Sequence, residues 1–81
     1  MIQKSKAIVL HKLNYGNSSL ICSLFTENSG KISIIAKGAK NIKNPASGIL
    51  QPLNFINVIY YYKSQRNIQT LKEISLIQKH F

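Results

Sequence analysis

The residues that could do chemistry in this chain are mostly cations. Eleven lysines and arginines stand against two acids, Glu27 and Glu73, for a net charge of +9 over 81 residues. Between those two acids lie Lys31, Lys37, Lys40, Lys43, Lys63, Arg66 and Lys72, with no carboxylate among them. A field of this sign attracts polyanions: nucleic acid, an anionic membrane surface or an acidic protein segment. Lysine-rich surfaces also serve solubility, but solubility alone does not require acids to be nearly absent.

Catalysis finds little to work with. Glu27 and Glu73 are far apart in sequence, His11 and His80 are isolated, and Cys22 sits in an apolar run. These supply no acid–base pair and no nucleophile–base–orienter set, so the chain reads as a non-enzyme. Gly38-Ala39-Lys40 is neither a phosphate-binding loop nor a dinucleotide fingerprint, and no cofactor is implied. One cysteine excludes an internal disulfide and a zinc site built from this chain's cysteines alone. Cys22 is therefore expected to be a buried thiol in a reducing, cytoplasmic setting. Met1 to Lys6 is charged and leads into only four apolar residues, Ala7 to Leu10, too few for a signal peptide or a membrane span.

Binding is better supplied. A phosphate backbone is followed by cations at intervals on flexible stems. Lys31 and Lys37 share the polar side of one apolar run with Ser33, and Lys40 and Lys43 continue the charge into the next connection. Arg66, in a later turn, can join them. Base stacking needs exposed rings, and Tyr15, in a turn cluster, is the candidate. Tyr60, Tyr61 and Tyr62 are consecutive, so Tyr61 must face away from the other two, and all three are assigned to packing at the core or the rim. Phe25 and Phe55 are assigned to packing as well.

The elements that must position these residues are strands. Lys4 to Leu13 is the first, closed by Asn14-Tyr15-Gly16-Asn17. Ser19 to Thr26 is the second, and Glu27-Asn28-Ser29-Gly30 turns it into the third, Lys31 to Lys37. In that strand Ile32 and Ile34 alternate with Lys31, Ser33, Ile35 and Lys37, as in a half-exposed strand. From Gly38 to Pro52 two glycines, two prolines, Lys40 and Lys43 make a long basic connection, with room for a short helical turn over Pro45 to Leu50. Leu53 to Lys63 is the fourth strand, and Ser64-Gln65-Arg66-Asn67 its turn. Ile68 to Gln78 holds the fifth, read as strand to about residue 76 although Leu71, Ile74 and Ile77 also fit a helical spacing.

Five closely spaced strands and no long amphipathic helix predict an all-β fold: a small closed barrel of the OB type over residues 1–81. Strands two and three and the loops after strands one and four form the usual binding face of such a barrel, and Lys31, Lys37, Tyr15 and Arg66 fall on those elements. The fourth strand is apolar on both sides, with Ile56, Val58 and Tyr60 on one and Phe55, Ile59 and Tyr61 on the other. Its outer side is expected to be covered by something outside these 81 residues.

Four stretches follow one another in a definite order and spacing. Ala7-Ile8-Val9-Leu10 leads to Asn14-Tyr15-Gly16-Asn17-Ser18-Ser19, and Leu24-Phe25-Thr26-Glu27 precedes Gly30-Lys31. Ala36-Lys37-Gly38-Ala39-Lys40 opens the basic loop, and Leu50-Gln51-Pro52-Leu53 closes it. In order and spacing these stretches resemble the N-terminal domain of the bacterial recombination-mediator family RecO, and the resemblance spans essentially the whole chain. It implies an OB-fold followed, in the longer proteins, by a C-terminal helical domain that often carries a zinc-binding cysteine cluster and is missing here. It also implies binding to single- and double-stranded DNA, annealing of complementary strands, and work with RecR to load RecA. Lys37 and Lys40, with Lys43 in the same loop, are the DNA contacts the resemblance suggests. A protein-interaction scaffold that docks RecR or an acidic partner is the alternative. An RNA-binding OB domain is a third reading, distinguished by preference for structured RNA over single-stranded DNA.

Overall fold

Alternation of buried and exposed side chains runs through nearly every strand of the computed structural model, which describes residues 1–80. Five strands and one short helix follow in order: β1 (Ile2–Tyr15), β2 (Ser19–Thr26), β3 (Gly30–Ala36), α1 (Pro45–Ile49), β4 (Phe55–Tyr61) and β5 (Ile68–Gln78). They close into a barrel with the strand order β1-β2-β3-β5-β4. All pairings are antiparallel except β3 with β5. A five-stranded closed barrel with a helix between its third and fourth strands is the OB-fold expected from the sequence.

β1 is long because it serves two neighbours. Its first half, from Ile2 to Ile8, pairs with β4, and its second, from Ala7 to Tyr15, with β2. The register shifts between Val9 and His11, where the strand changes partner. This bulge has a consequence for side-chain direction. Val9, opposite Leu24, points inward, and so does Lys12, opposite Cys22, three residues later. Lys12 is half-buried at that end of the barrel and donates from Nζ to Gln51 Oε1 at 3.0 Å.

The core is made of the inward residues of β1 to β4: Ala7 and Val9, Leu20, Cys22 and Leu24, Ile34 and Ala36, Ile56, Val58 and Tyr60, with Leu71 and Ile74 of β5 half-buried against them. Ala39, Ala46 and Leu50, from the β3–β4 connection, join the same cluster. α1 begins in the manner expected of so short a helix. Asn44 caps it, accepting the Ala46 N–H at 2.9 Å, and Pro45 occupies the first turn, where its missing N–H costs nothing. Thr26 is the one hydroxyl residue on the inner side of β2. Its Oγ1 donates to Gly30 O at 2.7 Å and accepts the Ser29 N–H at 2.9 Å, so its burial strands no polar atom.

The strand limits differ from the sequence reading in an instructive way. β4 is shorter than Leu53 to Lys63, because Leu53 adopts a positive φ of 70° and belongs to the turn. Leu53 and Asn54 instead bond to Val9, through Leu53 N–H to Val9 O at 2.6 Å and Val9 N–H to Asn54 O at 3.1 Å. β5 is longer than expected and remains a strand to Gln78, which pairs with Phe55. The β4 ladder holds it there, against the helical spacing of its apolar residues.

Candidate nucleic-acid interface

Of the six residues singled out in the sequence, four gather around one end of the barrel. Tyr15 ends β1, paired with Ser19, and its ring is 55% exposed. Leu20 pairs with Ala36, so Lys37, the next residue, emerges beside the same β1–β2 turn. The basic loop then folds back onto that turn. Lys40 donates its backbone N–H to Ser18 O at 3.0 Å, and its ammonium reaches Gly16 O at 3.3 Å. Lys43 lies three residues further along the loop, exposed, with its N–H on Asn41 Oδ1 at 3.0 Å.

This loop is a folded structure rather than a slack connection. Gly38 turns it with a φ of 75°, Asn41 N–H bonds to Gly38 O at 3.1 Å, and Asn44 N–H to Asn41 O at 2.9 Å. Ala39 is buried beneath it. Cations carried on such a loop are placed before a ligand arrives, which lowers the ordering cost of binding.

The other two candidates lie elsewhere. Lys31 pairs with Phe25 at the opposite end of β3. Six residues of extended chain separate it from Lys37, roughly 20 Å. Arg66 stands two residues before Ile68, which pairs with Ser33 at the Gly30 side of the parallel ladder. The structure thus sorts the cations into one cluster of Lys37, Lys40 and Lys43 with Tyr15, and a second group of Lys31 and Arg66. Ser33, Ser23 and His11 stand in adjacent register on the outer wall between the two.

Phe25 is not a packing residue as expected. It is 55% exposed, because Leu24 and Thr26 take the inner positions on β2 and parity sends Phe25 out. It belongs to a lateral row across the outer wall: Lys31 beside Phe25, Phe25 beside Ile8, and Ile8 beside Phe55. A shallow cavity of about 170 Å³ opens there, lined by Phe25, Ile8 and Phe55 with Lys6, Ala7, Thr26 and Glu27. The outer residues of β4, Phe55, Asn57 and Ile59, are half-buried within the barrel wall itself, and Tyr61 is exposed.

Two buried amides were invisible as functional residues in the sequence. Gln69, 5% exposed, accepts the Lys63 N–H at 2.9 Å and donates from Nε2 to Lys63 O and Arg66 O at 3.1 and 3.0 Å. It ties down the turn that carries Arg66. Asn54 donates to Ile49 O at 3.1 Å and accepts the His80 N–H at 2.9 Å, joining the end of α1 to the segment after β5. The signal for Gln69 was parity, since it shares the inner side of β5 with Leu71. Cys22 is wholly buried, and burial pushes its thiol up from 9.0 to about 11, with the Lys12 charge acting in the opposite sense. That is an inert, structural cysteine. Among the described residues, no helix is long and apolar enough to cross a membrane.

A family model described as the N-terminal region of recombination protein O matches residues 1–80. The chain is 42% identical over 77 residues to the DNA repair protein RecO of Salinibacter ruber and 42% identical over 77 to that of Pelodictyon phaeoclathratiforme. It is 35% identical over 78 residues to the RecO of Prosthecochloris aestuarii. These alignments cover 95%, 95% and 96% of this chain but only 30% of each relative, so the chain spans under a third of their length. With the match running through the barrel, the basic loop and all six candidate positions, the chain belongs to the RecO N-terminal domain family.

Proposed function

We propose that this barrel is a DNA-binding unit of recombinational DNA repair, the N-terminal domain of a longer protein, holding single- and double-stranded DNA by the sugar–phosphate backbone. The observation that carries the reading is the seating of the basic loop on the β1–β2 turn through Lys40 and Ser18. It gathers Lys37, Lys40, Lys43 and the exposed Tyr15 ring into one cluster, where three ammonium groups meet phosphates and the ring offers a face to a base. Lys31 and Arg66 form a second point of contact for a strand that crosses the outer wall of β2 and β3. Contacts of this kind carry little base information. They suit a unit that supports annealing of complementary strands and, with RecR, loading of RecA. Family membership and the names of the relatives support the repair setting.

Salt dependence tests the assignment. Each phosphate contact to a single strand contributes about 0.7 to the slope of log affinity against log salt. The Lys37→Ala/Lys40→Ala/Lys43→Ala variant is therefore expected to bind single-stranded DNA more weakly, with a slope shallower by about 2. An unchanged slope would move the phosphate contacts off this loop.

A second reading has an observation of its own. The outer row of Phe25, Ile8 and the half-buried Phe55 around its cavity is apolar, with Lys6 and Glu27 at its edge. It suits a protein partner that presents an apolar anchor, and RecR is the partner the family resemblance names. Under this reading Phe25→Ser abolishes RecR binding and leaves DNA affinity intact. Under the first, Phe25→Ser leaves the partner bound.

A further inference from the structure

Ile42 is 87% exposed, the most exposed of the large apolar side chains described. It stands at the tip of the basic loop, between Lys40 and Lys43 in sequence. The loop beneath it is fixed by four backbone-donated bonds: Lys40 N–H to Ser18 O, Asn41 N–H to Gly38 O, Lys43 N–H to Asn41 Oδ1 and Asn44 N–H to Asn41 O. The isoleucine is thus held out from the barrel on a shaped support, with an ammonium-bearing residue on each side.

We propose that Ile42 is an apolar wedge that enters between neighbouring bases of DNA while the flanking lysines hold the adjoining phosphates. The inference rests on the DNA-binding reading above and adds to it a site that acts on base stacking. Branched apolar side chains on cationic supports part base steps in this way, offsetting the cost of unstacking by burying their own surface. Burying an isoleucine side chain is worth roughly ten- to a hundredfold in an equilibrium constant. Parting an intact duplex step costs about as much or more, so a single wedge leaves little surplus there. A single strand stacks more weakly and has no pairs to break, so there, or at a junction, the same burial leaves a larger surplus. The ligand class is therefore single-stranded or junction DNA, and the effect is a locally unstacked strand whose base edges are free to find a complement.

The test uses the 81-residue chain with a single-stranded oligonucleotide that carries 2-aminopurine, a base whose fluorescence rises when it is unstacked. Wild type is compared with Ile42→Ala, Ile42→Leu and the triple lysine variant at saturating protein. The expected result is a fluorescence rise with wild type and Ile42→Leu that is lost in Ile42→Ala. Ile42→Ala is further expected to lose about five- to fiftyfold in affinity at fixed salt while its salt slope stays that of wild type. Full fluorescence and affinity within twofold in Ile42→Ala overturn the wedge. If the triple lysine variant alone loses salt-dependent binding, the phosphate cluster stands and the wedge falls. If wild type shows no salt-dependent binding, both readings fall. Ile42 lies outside the core, so loss of folding does not confuse the comparison.

Discussion

Removing the Gln69 amide should release the turn that presents Arg66. The side chain makes three hydrogen bonds, one received from Lys63 N–H and two given, to Lys63 O and Arg66 O. Each bond contributes about 0.5–1.5 kcal/mol net. The turn is exposed, so water can re-satisfy its freed groups in Gln69→Ala, which places the loss toward the lower part of the sum, about 2–3 kcal/mol. Stability for a chain of 81 residues is of the order of 4–12 kcal/mol, so that loss is large. It corresponds to a fall in Tm of roughly 10–20 °C. Gln69→Glu separates the bonds. A carboxylate can still accept the Lys63 N–H but has no proton for the two carbonyls, so this variant should also be destabilised. Urea unfolding of the three proteins, followed by far-ultraviolet circular dichroism, measures the differences. Gln69→Ala and Gln69→Glu both within about 0.5 kcal/mol of wild type would refute the argument that the amide holds the turn.

Cys22 sets a pH limit. Its thiol keeps its proton to about pH 11 in the barrel, whereas the unfolded chain releases it near 9.0. The associated stability is complete below pH 9 and drains away as pH rises to about 11, by at most about 2.7 kcal/mol. The stability difference between wild type and Cys22→Ala should therefore shrink across that window in urea titrations, and a constant difference would contradict it. Gly38→Ala should cost roughly 1–2 kcal/mol from the positive φ alone. The added Cβ would meet Asn44 Nδ2 at 3.6 Å, an ordinary contact, so Gly38→Asn, which tolerates that backbone region better, should recover part of the loss by thermal unfolding.

The five strands and the loop were legible because period-2 alternation and turn residues mark them directly, as in Lys31 to Lys37 and the Asn14 to Asn17 turn. The inner set of β2 is also written in parity, which sends Phe25 outward whatever the size of its ring. A large apolar side chain at an outward position of a strand stays outward, because moving it in would expel Leu24 and Thr26 together. The bulge at Val9 to His11 has no local signature in the sequence. It follows from β1 changing partner, and with it comes the inward turn of Lys12. The same limit applies to Gln69 and Asn54, whose bonds join segments that only the closed barrel brings together.

Lysines on one loop were legible as a charge track, but their grouping was not. Lys31 and Lys37 share one side of the third apolar run in sequence, yet the strand ends at Ala36 and the fold gives Lys37 to the β1–β2 turn and Lys31 to the wall beside Phe25. Only the Lys40 bonds to Ser18 and Gly16 reveal that Tyr15 and the loop form one surface.

Amide chemical-shift mapping tests that surface as the DNA site most directly. The isotopically labelled chain is titrated with a short single-stranded oligonucleotide at low salt, and the shifted amides are placed on the barrel. The largest shifts are expected at Tyr15 to Ser19 and Lys37 to Lys43, with smaller ones at Lys31 and Arg66, all fading as salt is raised. Shifts centred on Phe25, Ile8 and Phe55, with the Tyr15 turn and the basic loop silent, would contradict it.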